Sequence, residues 1–556
     1  MNKEFYDAIV VGSGAAGSIA VKELTERGMR VALLEAGPFL NEKNFPVQPY
    51  DQEKIKGMDV LNRAKMALSG QLMQARAISM CKEYQHLFIN DKENPYTTPA
   101  GQYYLWIRGR QLGGRLHTYG RVLLRMSDYD FKAASRDGYG EDWPVGYNDL
   151  APWYDRVEEF LGVYGNEEHI PNLPDGKYIL PSSLNSPERD FKNKVESLWA
   201  DRKVIGWRFS VPNLKRIPLG IQSAIDTGLL TIFADSIARN LIVDDTTGKA
   251  TGVTYIDRNS QEARNIYGHI VVLCASAIES VRLLLNSTSS KHPNGLGNSS
   301  GVLGRYFLEQ TPSLISAQVT NFKGWEIDNT VVQDPLVHPN SGGVYIPRFG
   351  NLETRTHKEF IRGFAFQGAI GRTFMPKDQP AQFGMMGFGE MLARKDNRIT
   401  LDPSKKDAWG IPVAHIDCTF CDNDLKLMRE QQRCIKEIVS ECGYKIDFSG
   451  TALGLDNPEA AMSTAPWIQR TLLRLSFTRS IAPGAAIHES GGARMGCDPA
   501  HSVLNAWNQC WDAKNVFVTD ASCFVSGGTV GPTLTIMALT ARACEYIAQE
   551  YQKGNL

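Results

Sequence analysis

Nothing in these 556 residues is long and apolar enough to span a bilayer. The most apolar stretch, 270–285, is broken by Glu279 and Arg282 and is shorter than the roughly 20 residues such a helix needs. A charge excess is also lacking. Lys and Arg number 60 against 61 Asp and Glu, a net charge of −1. That balance gives no electrostatic footprint for nucleic acid or for an anionic membrane surface. The ten cysteines are scattered, apart from Cys418 and Cys421. They show no disulfide framework, and a chain this long builds a core without staples, so reduced thiols in a cytoplasmic protein are expected. Cys418-Thr-Phe-Cys421 lacks a second pair or histidines at zinc spacing, so no metal is expected. No heme-attachment C-x-x-C-H occurs, which places any heme on another chain. Internal repeats and low-complexity tracts are missing. Glu4 and Asp7 precede the small apolar run 8–21, the wrong flank for a secretion signal. Met1 is read as the start of the folded protein, with export beside a signal-bearing partner as the alternative.

What is present is ordinary globular composition, 42% hydrophobic and 22% charged, which excludes disorder. Residues 6–11 read as a buried strand, 18–27 as a helix with Ile19, Val21 and Leu24 inward, and 30–35 as a second strand. Gly28 is a plausible helix end. Strand, turn, helix and strand form a βαβ unit and imply a parallel sheet. The turn is Gly12-Ser13-Gly14-Ala15-Ala16-Gly17. Gly12 permits the tight turn, Gly14 lets backbone approach a pyrophosphate, and Gly17 lets helix pack on strand. Glu35 follows Gly14 by 21 residues, where a carboxylate accepts ribose hydroxyls and argues against a 2′-phosphate. FAD or NAD is therefore favoured over NADP.

Further strands are expected at 241–244 and 251–257, joined by a turn at 246–248, and at 270–273 and 515–519. Helices are expected at 277–285 and from Pro532 to about Gln552. Nucleotide-domain segments thus recur at 1–130, 225–310 and 480–556. The intervening 131–224 and 311–479, rich in Pro, Asn, Trp and Tyr with alternating strand patterns, read as an inserted substrate domain. The fold class is α/β: a Rossmann-like dinucleotide domain with a discontinuous α+β substrate domain on an antiparallel sheet.

Six ordered motifs carry a resemblance: 12–38, R-Q-L-G-G-R (110–115), A-S-A-I-E-S-V-R-L-L-L (275–285), N-G-L-G-N-S-S-G-V-L-G-R (294–305), H-E-S-G-G-A-R-M-G (488–496), and the stretch 519–539 from T-D-A-S-C-F to G-P-T-L-T-I-M-A-L. Together they resemble the glucose-methanol-choline (GMC) flavoprotein oxidoreductases, nearest to their pyranose-oxidase-like and fructose-dehydrogenase-like bacterial branch. The resemblance implies FAD, a two-domain fold and oxidation of alcohols or sugars. Gly113 and Gly114 match the loop along the flavin. Ala36, Ile237, Ala275, Asp520, Pro532 and Thr533 join the expected cofactor contacts, Asp520 with an ordinary strand-end acid as the alternative. Some relatives link FAD to a histidine four residues after the second glycine. Here that position is Thr118, and His117 falls one residue early, so FAD is expected to be non-covalent.

His488 matches the family's base, which takes the substrate hydroxyl proton as hydride passes to flavin N5. A neutral imidazole suits that task. The family's second His or Asn, which orients the same hydroxyl, corresponds here to Gly531. Three explanations stay open: another group such as Thr529 or Ser526, the substrate or a water filling the space, or loss of ordinary alcohol oxidation. The helix starting at Pro532 should aim its N-terminus at the flavin pyrimidine edge and stabilise the anion formed there. The reaction implied is oxidation of a secondary hydroxyl of a sugar, glycoside or polyol. The electron acceptor is oxygen or a separate protein or quinone. Redox-neutral or lyase chemistry is the alternative. The aromatic runs 142–144 and 151–154 suit a sugar platform or simply core. His269, His338, His415 and His501 read as structural, and 422–424 as a helix start rather than a calcium loop.

Overall fold

The computed structural model describes residues 5–45, 60–77, 82–211, 213, 215–324, 342–372, 378–463 and 465–556. His338 lies outside the described residues. Phe5–Val11 is the centre of the first sheet because its apolar run buries both faces. Val31–Leu34 and Ala263–Leu273 pair with it in parallel on either side, in a register that sets Ala8 against both Val31 and Ile270. Leu230–Phe233 extends the sheet beyond Val31–Leu34. The far edge of Ala263–Leu273 is shared: its first half takes the antiparallel hairpin Ser236–Val243 and Ala250–Asp257, and its last residues take Val516–Val518 in parallel. Strands expected from short apolar runs are therefore present, and Ala263–Leu273 begins earlier, with exposed residues at 263–265 that form no apolar run.

The helix Ala15–Thr25 packs against Thr533–Gln552 on this sheet. Its end is marked by Gly28 at a left-handed φ of +83°. Gly17 can only be glycine, since a Cβ there would lie 1.8 Å from the Gly12 carbonyl oxygen.

The second sheet runs in the order Gly454–Asp456, Lys445–Thr451, Gln310–Lys323, Pro380–Glu390, Phe364–Ile370, Val344–Ile346, Ile205–Gly206, antiparallel throughout. Asp422–Glu441 covers one face. Side chains at Gly387 and Gly389 would strike Gln431 and Leu427 of that helix. Strand alternation then turns Gln310, Pro312, Phe388 and Glu390 to the opposite face.

Two expectations are corrected. Region 131–224 is chiefly helical, with Tyr147–Leu161 and Ser186–Leu198 as its longest elements. Leu150, Tyr154 and Val157 recur at helical spacing and are buried, and this period outweighs a composition that suggested strands. The boundary at 224/225 cuts through the helix Leu219–Asp226, which packs on Ala15–Thr25. That approach requires Gly220, whose Cβ would lie 2.2 Å from the Ser18 carbonyl oxygen. The hairpin Arg398–Lys406 and Pro412–Asp417 likewise packs on Ala277–Asn286 beside the first sheet, although it lies within 311–479.

Candidate active site

The parallel strands end at one edge, and there Val11 leads into the glycine turn, Leu34 into Glu35, Leu273 into Ala275 and Val518 into Asp520. Ligands of α/β sheets bind at this carboxyl edge. Gly12 takes a φ of +97°, which L side chains rarely adopt. A Cβ on Gly14 would meet nothing within 4 Å, and one on Gly114 would lie 3.6 Å from the Gly14 Cα. The two glycine loops thus approach each other closely, with open space beside Gly14. Gly14, Ala15, Ala36, Gly114, Ala275, Gly531 and Thr533 are half-buried around it. Ser13 ties the cradle together: its hydroxyl donates to Glu35 and accepts the Gly113 N–H at 2.9 Å. Glu35 also accepts the Gly37 N–H at 3.0 Å. Burial pushes the Glu35 carboxyl up, against those hydrogen bonds. Ile237 is buried and packs beside Ala36.

Asp520 is held by the chain itself. It accepts from the hydroxyls of Ser280 and Ser522 and caps the short turn Ala521–Cys523. Pro532 precedes Thr533–Gln552 by one position rather than opening it, and its carbonyl accepts the Ile536 N–H at 2.9 Å. His117 is buried, and its Nε2 lies 2.7 Å from the Leu112 carbonyl oxygen, so that nitrogen donates.

Around His488 the structure assembles groups that no local motif announced. The imidazole stacks on Phe388, with centroids 5.2 Å apart. Glu309 accepts the His488 backbone N–H and, at 3.0 Å, that of Gln310. The Gln310 amide nitrogen donates to the carbonyls of Gly528 and Val530 at 2.9 and 3.0 Å. Those partners only accept, so the Gln310 oxygen must be the atom 2.6 Å from His488 Nδ1. Nδ1 therefore carries the proton and Nε2 the lone pair. A Cβ built on Gly531 would lie 3.6 Å from Nε2, so this nitrogen borders the space that Gly531 leaves open. Burial, then the positive charge of Arg115, pull the imidazole down to about 3. Burial and the neighbouring Glu489 push Glu309 up to about 8. Glu489 pairs with Arg115 at 2.7 Å.

Ser526 is committed elsewhere, accepting the Trp143 indole N–H at 2.7 Å. Trp143 itself is fully buried between Phe131 and Phe524, hence core rather than an open platform. Thr529 is buried, and its carbonyl takes the Tyr345 hydroxyl at 3.3 Å.

Two family models, both described as GMC oxidoreductase, match residues 221–309 and 393–540. The chain belongs to the GMC oxidoreductase family. Full-length relatives include 2-methyl-1,2-propanediol dehydrogenase of Mycolicibacterium austroafricanum, 27% identical over 98% of this chain and 95% of that protein. The fructose dehydrogenase large subunit of Gluconobacter japonicus is 23% identical, covering 99% and 98%. Among solved structures, pyridoxine 4-oxidase from Mesorbium loti superposes with a TM-score of 0.60 at 17% identity, covering 98% and 99%. Formate oxidase of Aspergillus oryzae gives 0.65 at 15%, covering 100% of both chains. These two show the fold. As a GMC oxidoreductase the protein is an enzyme acting on CH–OH groups, with FAD as its cofactor. The residues present suit such a dinucleotide: open backbone at Gly14, a carboxylate at Glu35, and a helix N-terminus at Thr533. No described helix is long and apolar enough to cross a membrane, and no described cluster of His, Cys, Asp or Glu could hold a metal.

Proposed function

We propose that this GMC oxidoreductase converts a secondary hydroxyl of a sugar, glycoside or related polyol to the ketone. The observation that carries this reading is the His488 Nε2 lone pair, left free by the Gln310 bond at Nδ1, beside Gly531. A hydroxyl there gives its proton to Nε2 as the C–H bond is broken. FAD, when bound, supplies the acceptor for the electrons and hydrogen leaving the carbinol carbon. The polyol and sugar names of the relatives, including paromamine 6′-oxidase of Streptomyces fradiae, support a hydroxylated substrate. Anaerobic incubation of the yellow holoenzyme with a panel of sugars, glycosides and diols tests this. Bleaching is expected with at least one of them. A flavin that no hydroxylated compound bleaches would overturn the reading in favour of redox-neutral chemistry.

The cradle residues proposed to hold FAD are Gly12 to Gly17, Glu35, Ala36, Gly113, Gly114, Ala275 and Thr533. Attachment is non-covalent in this reading, because His117 Nε2 already donates to the Leu112 carbonyl. Acid precipitation is expected to leave all yellow colour in the supernatant; colour in the pellet would refute this.

Gly531 acts as space for the substrate. A Cβ fits without clash, so Gly531→Asn should fold and retain FAD, while its amide fills the hydroxyl's place. Flavin reduction by secondary polyols should fall about tenfold or more. A rise with every substrate would instead mean that a hydrogen-bonding partner is missing at this position.

A further inference from the structure

We propose that the face of the protein beside the active-site segment docks on an anionic lipid bilayer. Two elements of that face expose large apolar side chains. On and after the helix Val60–Leu68, Leu61, Leu68 and Leu72 are 64%, 82% and 50% exposed. On the helix Trp467–Ser480, Trp467, Leu472 and Leu475 are 73%, 37% and 73% exposed. Leu472 and Leu475, three residues apart, share one face of that helix, and Trp467 stands exposed at its start. Singly exposed apolar residues need no explanation, whereas two neighbouring clusters do.

The two elements belong to one neighbourhood. Ala485 and Ile487, just before His488, pack against Met66, Ala75 and Ala77 of the first element. The second element runs directly into residues 481–488. Arg76 bonds the Tyr103 hydroxyl, whose ionisation also feels Arg479.

Charge decides what covers this face. Residues 60–77 contain Arg63, Lys65 and Arg76, residues 465–481 contain Arg470, Arg474 and Arg479, and neither stretch has an Asp or Glu. Arg474 pairs with Glu459. Arg63 and Arg470 bond to backbone carbonyls and form no ion pair among the described residues. A second copy would bring like charges together, which is unfavourable. A folded protein partner would need matching pockets for the protruding Leu68, Trp467 and Leu475. The headgroup and acyl boundary of an anionic membrane takes such side chains in any shape, with arginines at headgroup level and tryptophan at the interface. Each basic residue near such a surface adds to the attraction.

The test is sedimentation of the FAD-loaded enzyme with vesicles of phosphatidylcholine, with and without phosphatidylglycerol. Pelleting is expected only with phosphatidylglycerol, weakened by salt and by at least about tenfold in Leu68→Glu/Leu475→Glu. Leu198→Glu, on an exposed leucine of a different helix, should pellet like the parent. Retained flavin and an unchanged melting temperature show that the double variant is folded; should it not fold, Leu475→Ser alone carries the test. Failure of the parent enzyme to pellet with anionic vesicles would overturn the proposal, as would pelleting untouched by the substitutions. A dimer that the double variant dissociates would assign the face to a second copy and also overturn it. None of these readouts depends on catalysis, so the docking face and the proposed oxidation stand or fall separately.

Discussion

His488→Ala is expected to slow anaerobic flavin reduction by about 10² to 10⁴ while FAD remains bound. Gln310 holds the imidazole proton at Nδ1 and leaves the lone pair at Nε2. Burial, with Arg115 adding repulsion, holds the group at about 3. The sign matters. A base with a depressed pKa stays neutral at every pH above that value, so the parent enzyme should show no acid limb from His488 across the ordinary range. Loss of the side chain removes the proton acceptor and the ring stacked on Phe388, but touches neither glycine loop. Stopped-flow reduction with a substrate that bleaches the parent flavin gives the rate, and absorbance per protein gives the FAD content. Unchanged reduction kinetics in the variant would remove His488 from the chemistry.

The first sheet was legible because its signals are local. Residues 6–11 and 270–273 are short apolar runs, and the glycines at 12, 14 and 17 sit where strand, turn and helix meet. The close contact of Gly17 with the Gly12 carbonyl shows why that spacing has little freedom. The second sheet is harder to read. Pro380–Glu390 carries Gly384, Gly387 and Gly389, and their lack of side chains, required at Gly387 and Gly389 under Gln431 and Leu427, weakens the strand pattern. Region 131–224 misled through composition, since Pro152 lies inside Tyr147–Leu161.

The half of the site around His488 was only partly visible. A motif marks His488, yet Gln310 lies 178 residues away, and no spacing rule connects a strand-opening glutamine to a loop imidazole. Glu309 and Phe388 escaped notice for the same reason. The net charge of −1 averages over two stretches without a single acid, 60–77 and 465–481; the first packs on Ala485 and Ile487, and the second runs into that segment along the chain.

Gln310→Glu should have the second largest effect and change its pH dependence. The amide now matches three partners at once: an N–H at His488 Nδ1 and two carbonyls at Gly528 and Val530. A buried carboxylate would face both carbonyls without a hydrogen to offer, at a cost. Against Nδ1–H its charge would favour the imidazolium and raise His488 toward its ordinary value near 6.5. A base with a raised pKa is protonated and idle below it, so an acid limb should enter the measurable range, with reduction lost as pH falls. Gln310→Leu supplies no charge and no acceptor. It should lower the rate about tenfold to a hundredfold by freeing the tautomer, without moving any limb. Nitrogen-15 shifts of labelled histidine would report the tautomer directly, with His488→Ala identifying the resonance. A merely structural glutamine would lower flavin content or the rate equally at all pH in both variants. An unmoved acid limb in Gln310→Glu, with FAD retained, would show that the Nδ1 partner does not set the state of the base.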